Sequence, residues 1–246
     1  MNNNNIFSFS DKVTSIRIGI FNNKGGVAKT TSVINIAHVL HKNNIKVLVV
    51  DCDTQENCFS FFTSSITNDN ILPTNFENIK HTTWERYKLM TGNKSDFQII
   101  LFDLPPTLSD EVRTIISHMD IVYVPTMIGE FEISGLKKVT DEILRQNTKL
   151  GGIFITKYQN ETDSELIGQL REALQDRMLN AIIPFSNTVR KSQMEGLPLE
   201  AYFDKHKVPC IGNAWKVVNA YNDLTCEIVK EIMSMTYLKE LKENGK

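Results

Sequence analysis

The chain has 246 residues, 41% of them apolar, with 27 Lys and Arg against 29 Asp and Glu. That length and apolar content suit one large α/β domain or two small ones with a full core. A net charge of −2 supplies no global attraction to nucleic acid, so any such contact needs a local basic patch. No apolar run approaches the ~20 residues of a membrane span. The opening Met1-Asn2-Asn3-Asn4-Asn5 lacks the basic-then-apolar layout of a secretory leader. Cys52, Cys58, Cys210 and Cys226 form no C-x-x-C pair and read as free thiols of a reducing compartment. A cytoplasmic protein is expected, with a disordered tail over 1–14 and a single domain over 15–246.

Along the chain, short apolar runs alternate with helical patterns. The first strand is expected at 16–21, followed by Asn23-Lys24-Gly25-Gly26-Val27-Ala28-Lys29-Thr30-Thr31 and a helix over 30–42. Strand, glycine turn, Lys-Thr and helix form the layout of a phosphate-binding loop. Glycines let backbone N–H groups approach phosphate oxygens, and the helix N-terminus adds partial positive charge. Lys29 can reach terminal phosphates, and the Thr30 hydroxyl can ligate Mg²⁺. Asn23 and Ala28 stand where the general G-x-x-x-x-G-K-[ST] pattern has glycines. Modest loop distortion is expected at Ala28; if that position needs positive φ, alanine costs about 1 kcal/mol or more.

The second strand, 46–50, delivers Asp51-Cys52-Asp53-Thr54-Gln55, two carboxylates on one side of the pleat. Such a pair serves a phosphate site or merely caps a turn. Residues 54–97 are polar, with Trp84 isolated among them, and are expected to form one or two short peripheral helices. The third strand, 98–102, ends in Asp103-Leu104-Pro105-Pro106, an apolar run and then an aspartate suited to a Mg²⁺-bound water. Further strands are expected at 121–125, 152–156 and 181–183, and helices at 109–118, 132–147, 163–178 and 213–243. All-apolar strands separated by helices imply a mostly parallel twisted α/β sheet covered on both faces, with ligands at the carboxyl ends of the strands.

Residues 23–31 resemble the deviant Walker A motif, x-K-G-G-x-G-K-[ST], of the ParA/MinD group of P-loop ATPases. Asp51-Cys52-Asp53-Thr54-Gln55 resembles that group's D-x-D-P-Q, with Thr54 replacing proline, and Asp103-Leu104-Pro105-Pro106 its Walker B switch. Glu130 through Leu136 is similar to its E-x-x-x-x-G-L helix start. Ile183-Pro184-Phe185 through Pro198 is similar to its I-P…V-R…G-x-P segment. The resemblance implies slow Mg²⁺-dependent ATP hydrolysis. Lys29 and the loop from Lys24 through Gly25, Gly26, Val27, Ala28, Thr30 and Thr31 would hold the nucleotide. Pro184 and Phe185 would face the adenine. Thr30, Asp51 and Asp103 would serve the metal. Asp53 would orient the attacking water, and Lys24 would cross to a partner subunit's nucleotide, so turnover would need a homodimer.

The short chain is similar to plasmid-type ParA members. These bind double-stranded DNA without sequence preference in the ATP state and are stimulated by a centromere-binding ParB-type protein. A nucleoid-associated role without a membrane follows. Arg190, Lys191, Lys205 and Lys207 are the DNA-contact candidates, with Lys157 and Arg171 behind them; solvated surface charge is the plain alternative. Gln159-Asn160-Glu161-Thr162 stands where chromosomal members carry a DNA-contacting arginine in D-x-R-T. A MinD-like membrane-positioning ATPase is the runner-up, because the C-terminal stretch has helically spaced Leu and Tyr. Biosynthetic relatives come third.

Overall fold

The computed structural model describes residues 7, 15–55, 57–62, 71–90, 96–159, 163–209 and 212–244. Most of the expected 1–14 tail lies outside them, as do Cys210 and residues 160–162. Phe7, the tail's described residue, packs against a core cluster. In chain order the elements are β1 (Ile16–Ile20), α1 (Lys29–Lys42), β2 (Val47–Asp51), α2 (Asn57–Phe62), β3 (Leu72–Pro73), β4 (Ile79–Thr83), α3 (Trp84–Leu89), β5 (Ile99–Asp103) and α4 (Asp110–Ser117). There follow β6 (Ile121–Thr126), α5 (Glu130–Arg145), β7 (Lys149–Tyr158), α6 (Asp163–Leu174), β8 (Met178–Pro184), α7 (Asn187–Met194), α8 (Leu199–His206) and α9 (Asn213–Asn244).

The strands form one eight-stranded sheet in the order β3-β4-β2-β5-β1-β6-β7-β8. Every pairing is parallel except β3 with β4. Strand alternation divides the core. Val47 and Val49 of β2 pack into a cluster with α1 and α9, while Leu48 and Val50 join α4 and α5 on the opposite face. Both faces are thus covered, which is why β2 and β5 read as unbroken apolar runs.

The structure corrects the reading of 54–97. Ile79–Thr83 is a sheet strand paired in register with β2, from Val47 opposite Ile79 to Asp51 opposite Thr83. Only Ile79 is aliphatic, so the segment looks polar; β-branched Ile79, Thr82 and Thr83 supply the strand preference. Beyond it, β3 is two residues long and carries Pro73, which lacks a backbone donor and suits an edge. Trp84 is not isolated: it is buried, stacks on Tyr87 at 5.8 Å and meets the edge of Phe102 at 6.3 Å.

Polar side chains are also buried here. His38 of α1 and His81 of β4 are 6% and 1% exposed. Neither ring nitrogen of His38 has a hydrogen-bond partner. Its ring sits edge-on to Phe76 at 5.2 Å. Burial lowers both imidazoles from about 6.5 to about 4; His41 and Lys42 add to the effect at His38, and Arg86 at His81. The unfolded chain therefore takes up these protons first. The stability they hold is whole above pH 6.5 and is lost as pH falls toward 4. Replacing His38 with leucine is expected to flatten the fall of the urea-derived unfolding free energy across that window, by about 3 kcal/mol at its acid end. An unchanged slope would contradict the assignment.

Candidate functional site

The sheet fixes the site through register. β5 lies between β1 and β2, so Asp103 pairs across with Ile20 on one side and Asp51 on the other. Three strands thus end at one level, beside the loop leaving β1. Asn22 anchors the start of that loop, donating through Nδ2 to the Pro125 carbonyl at 2.8 Å and accepting from the Lys24 amide at 3.0 Å. Thr156 of β7 braces it from the other side, its hydroxyl 3.2 Å from the carbonyls of Val27 and Thr126.

The loop enters α1 through two left-handed residues, Gly26 at φ 77° and Ala28 at φ 63°. Position 28 therefore does require positive φ, and alanine is strained there by about 1 kcal/mol relative to glycine. Ala28 is the N-cap of α1, and no side chain caps the first turn. By contrast, Ser109 caps α4 and Ser186 caps α7. An uncapped turn facing a cavity leaves amide donors for an anion.

Lys29 is 8% exposed, and its ammonium donates to the Lys24 carbonyl at 2.9 Å. Burial lowers its pKa, against the pull of Asp103 and Asp53. The Thr30 hydroxyl donates to Asp103 Oδ2 at 2.6 Å. Asp103 is 2% exposed, and its Oδ1 has no hydrogen-bond partner. Burial raises this carboxyl to about 7; the Thr30 bond opposes the rise and Asp51 adds to it. A buried carboxylate with an orphaned oxygen beside a hydroxyl fits a small hard cation, which would restore the charged form. Among the described residues no three His, Cys, Asp or Glu side chains form a metal cage. Such a cation would therefore draw its other ligands from water and substrate.

The two acids after β2 differ. Asp51 is buried and accepts from the Asp53 amide at 2.9 Å. Asp53 accepts from the Gln55 amide at 3.0 Å and lines the cavity. Both acids therefore accept from amides of the turn, and Asp53 also borders the cavity.

The cavity measures about 500 Å³. Gly25, Gly26, Ala28, Lys29, Thr30 and Thr31 form one wall. The facing wall includes Pro184, Phe185, Arg190 and Gln193, with Tyr221 of α9 and Lys157 of β7. Lys24, Val27, Asp51 and Asp103 do not line it: Val27 packs inward at 2% exposure, and the two aspartates lie behind it. The Gly196-Leu197-Pro198 stretch is a helix break. Gly196 has φ 64° and its amide donates to the Gln193 carbonyl.

The four basic candidates lie on α7, on α8 and at the C-cap of α8. Arg190 faces the cavity, Lys191 is exposed, Lys205 is held by Glu195 at 2.8 Å, and Lys207 is the exposed left-handed C-cap of α8. Sequence reasoning missed Asn22, Thr156, Gln193 and Tyr221. Small polar braces carry no spacing signal, and Tyr221 reads as one more apolar position of a long helix.

A mostly parallel sheet whose first strand runs through a glycine loop into an uncapped helix defines the P-loop NTPase fold. The chain belongs to the CobQ/CobB/MinD/ParA nucleotide-binding family, whose model matches residues 18–199. Chromosome-partitioning ATPase Soj of Treponema pallidum is 27% identical over 248 aligned positions, covering 85% of this chain and 94% of that protein. Among solved structures, the septum site-determining protein MinD of Pyrococcus horikoshii, complexed with Mg-ADP, aligns with TM-score 0.68 at 21% identity, covering 86% of this chain and 94% of its own. A plasmid partition protein of Borrelia burgdorferi bound to AMPPNP aligns with TM-score 0.65 at 19% identity, covering 88% and 99%. These likenesses bear on the fold. Among the described residues no helix is long and apolar enough to cross a membrane.

Ala28→Gly tests the strained cap. It is expected to raise stability by about 1 kcal/mol, seen as a melting point roughly 3 °C higher. A neutral or lower melting point would show that the left-handed conformation is not held in solution.

Proposed function

We propose that the chain is a Mg²⁺-dependent ATPase of the DNA-partitioning kind, working as an ATP-driven homodimerisation switch. The observation that carries the reading is the uncapped start of α1, with Lys29 and Thr30 lining a cavity of nucleotide size and Asp103 bonded to Thr30 behind it. Similarity to Soj supports the partitioning role. Residues 15–246 work as one ATPase unit. Lys29 and the loop amides of Gly25 through Thr31 bind the phosphates, and Pro184 and Phe185 border the base.

Thr30 and Asp103 hold Mg²⁺, which neutralises phosphate charge when bound, with Asp51 supporting from behind. Asp53 orients a water in line with the terminal phosphate. Lys24, whose side chain does not line its own cavity, completes the site of a second copy. The ATP-bound dimer binds duplex DNA without sequence preference on the nucleoid, and a ParB-type partner stimulates hydrolysis. Lys191 and Lys207 are exposed cations away from the cavity and serve the DNA; Arg190, also exposed, lines the cavity, and Lys205 is shared with Glu195.

Two experiments test this. Asp53→Ala is expected to bind ATP and dimerise but to lose turnover; unchanged hydrolysis would remove Asp53 from the mechanism. Anisotropy with random duplex DNA should show salt-sensitive binding in ATP and none in ADP. The Lys191→Glu, Lys207→Glu double variant should weaken it by about tenfold. No binding in any nucleotide state would sink the DNA role.

A further inference from the structure

Gln193 falls in the gap between V-R and G-x-P, where no role is expected, yet it touches the phosphate-binding helix directly. Its Nε2 donates to Thr31 Oγ1 at 2.9 Å, across a separation of 162 residues, and both side chains line the cavity. The two partners are pinned from behind. The Thr31 carbonyl accepts from Asn35 Nδ2 at 2.8 Å. The Gln193 carbonyl accepts from the Gly196 amide at 3.0 Å, where α7 is broken, and the neighbouring Ser192 is buried. Val189 and Arg190 share the cavity face of α7 with Gln193, which lies one helical turn beyond them.

A hydroxyl has one proton and two acceptor lone pairs. With Gln193 donating to its oxygen, Thr31 must send its own proton elsewhere. Among the described residues no group accepts a hydrogen bond from the Thr31 hydroxyl. A donated hydrogen bond also polarises the hydroxyl and makes it a stronger donor. The ligand that such a donor suits, in a cavity already holding Lys29 and an uncapped helix start, is a phosphate oxygen.

We propose that Gln193 is a positioning residue: its amide fixes the Thr31 hydroxyl as a hydrogen-bond donor to the phosphate chain. This rests on the nucleotide reading of the cavity. It ties the far wall, α7, to the loop wall through the ligand-binding hydroxyl itself. Nucleotide held by Thr31 is thereby felt at α7, the helix that also carries exposed Lys191.

The test measures binding of Mg-ATP, Mg-tripolyphosphate and adenosine to the intact chain, Gln193→Leu, Thr31→Val and the double variant. Gln193 is exposed, so the substitution leaves the core intact. Gln193→Leu is expected to weaken Mg-ATP and Mg-tripolyphosphate alike by about fivefold to tenfold. Adenosine binding should not change. Thr31→Val should cost a similar factor, and the double variant no more than either single one. Three results would overturn the proposal: undiminished Mg-ATP affinity in Gln193→Leu, losses that multiply in the double variant, or a loss confined to ATP and adenosine. The last would place Gln193 on the sugar or base. Failure of the unsubstituted chain to bind either phosphate ligand would overturn the nucleotide reading, and this proposal with it.

Discussion

Everything at the site depends on the register of β5 between β1 and β2. That pairing sets Asp103 level with Ile20 and Asp51, and so within 2.6 Å of the first hydroxyl of α1. Apolar burial supports this register, and polar contacts at the start of β5 help to pin it: Ser15 donates to the Phe97 carbonyl and the Lys46 amide to Gln98 Oε1. Ile99, Leu101 and Phe102 are all fully buried, on alternating faces. A slip of one residue would turn each to the wrong layer and carry Asp103 away from Thr30.

The site built on that frame is held in an electrostatically unfinished state. Lys29 and Asp103 are buried charges whose pKa values move toward each other, the ammonium down and the carboxyl up. Asp103 Oδ1 has no partner, α1 has no cap, and Ala28 is strained. Each feature costs stability in isolation. These features gather at the phosphate loop and the strand end behind it; buried polar groups without partners also occur elsewhere, as at His38, while α4 and α7 carry serine caps and a glycine ends α7. A strained cap, an uncapped helix start and an orphaned carboxylate oxygen gathered at one site are features that a bound ligand would relieve.

Much of this was legible in the sequence, for physical reasons. Strands covered on both faces must be continuously apolar, so β1, β2, β5 and β6 stood out, and phosphate binding needs glycines before Lys-Thr. The acids at 51, 53 and 103 were legible because each follows such a strand. What escaped was polar and context-bound. β4 owes its place to β2 rather than to its own hydrophobicity. Asn22, Thr156 and Gln193 act through contacts more than 100 residues distant in sequence. The charges on α7 and α8 were legible as charges but not as directions. Arg190 lines the cavity, and Glu195 claims Lys205.

The account's central claim is that the Thr30–Asp103 pair is a cation site that completes a nucleotide site. The most direct measurement is the melting temperature of the intact chain and of Asp103→Asn, with ATP in excess, in Mg²⁺ and in EDTA. Ligand at about a hundred times its dissociation constant stabilises by about 2.7 kcal/mol. A rise of several degrees is therefore predicted for the intact chain in Mg²⁺, with most of it lost in EDTA and in the variant. Equal stabilisation with and without Mg²⁺, or a variant that responds like the intact chain, would contradict the claim.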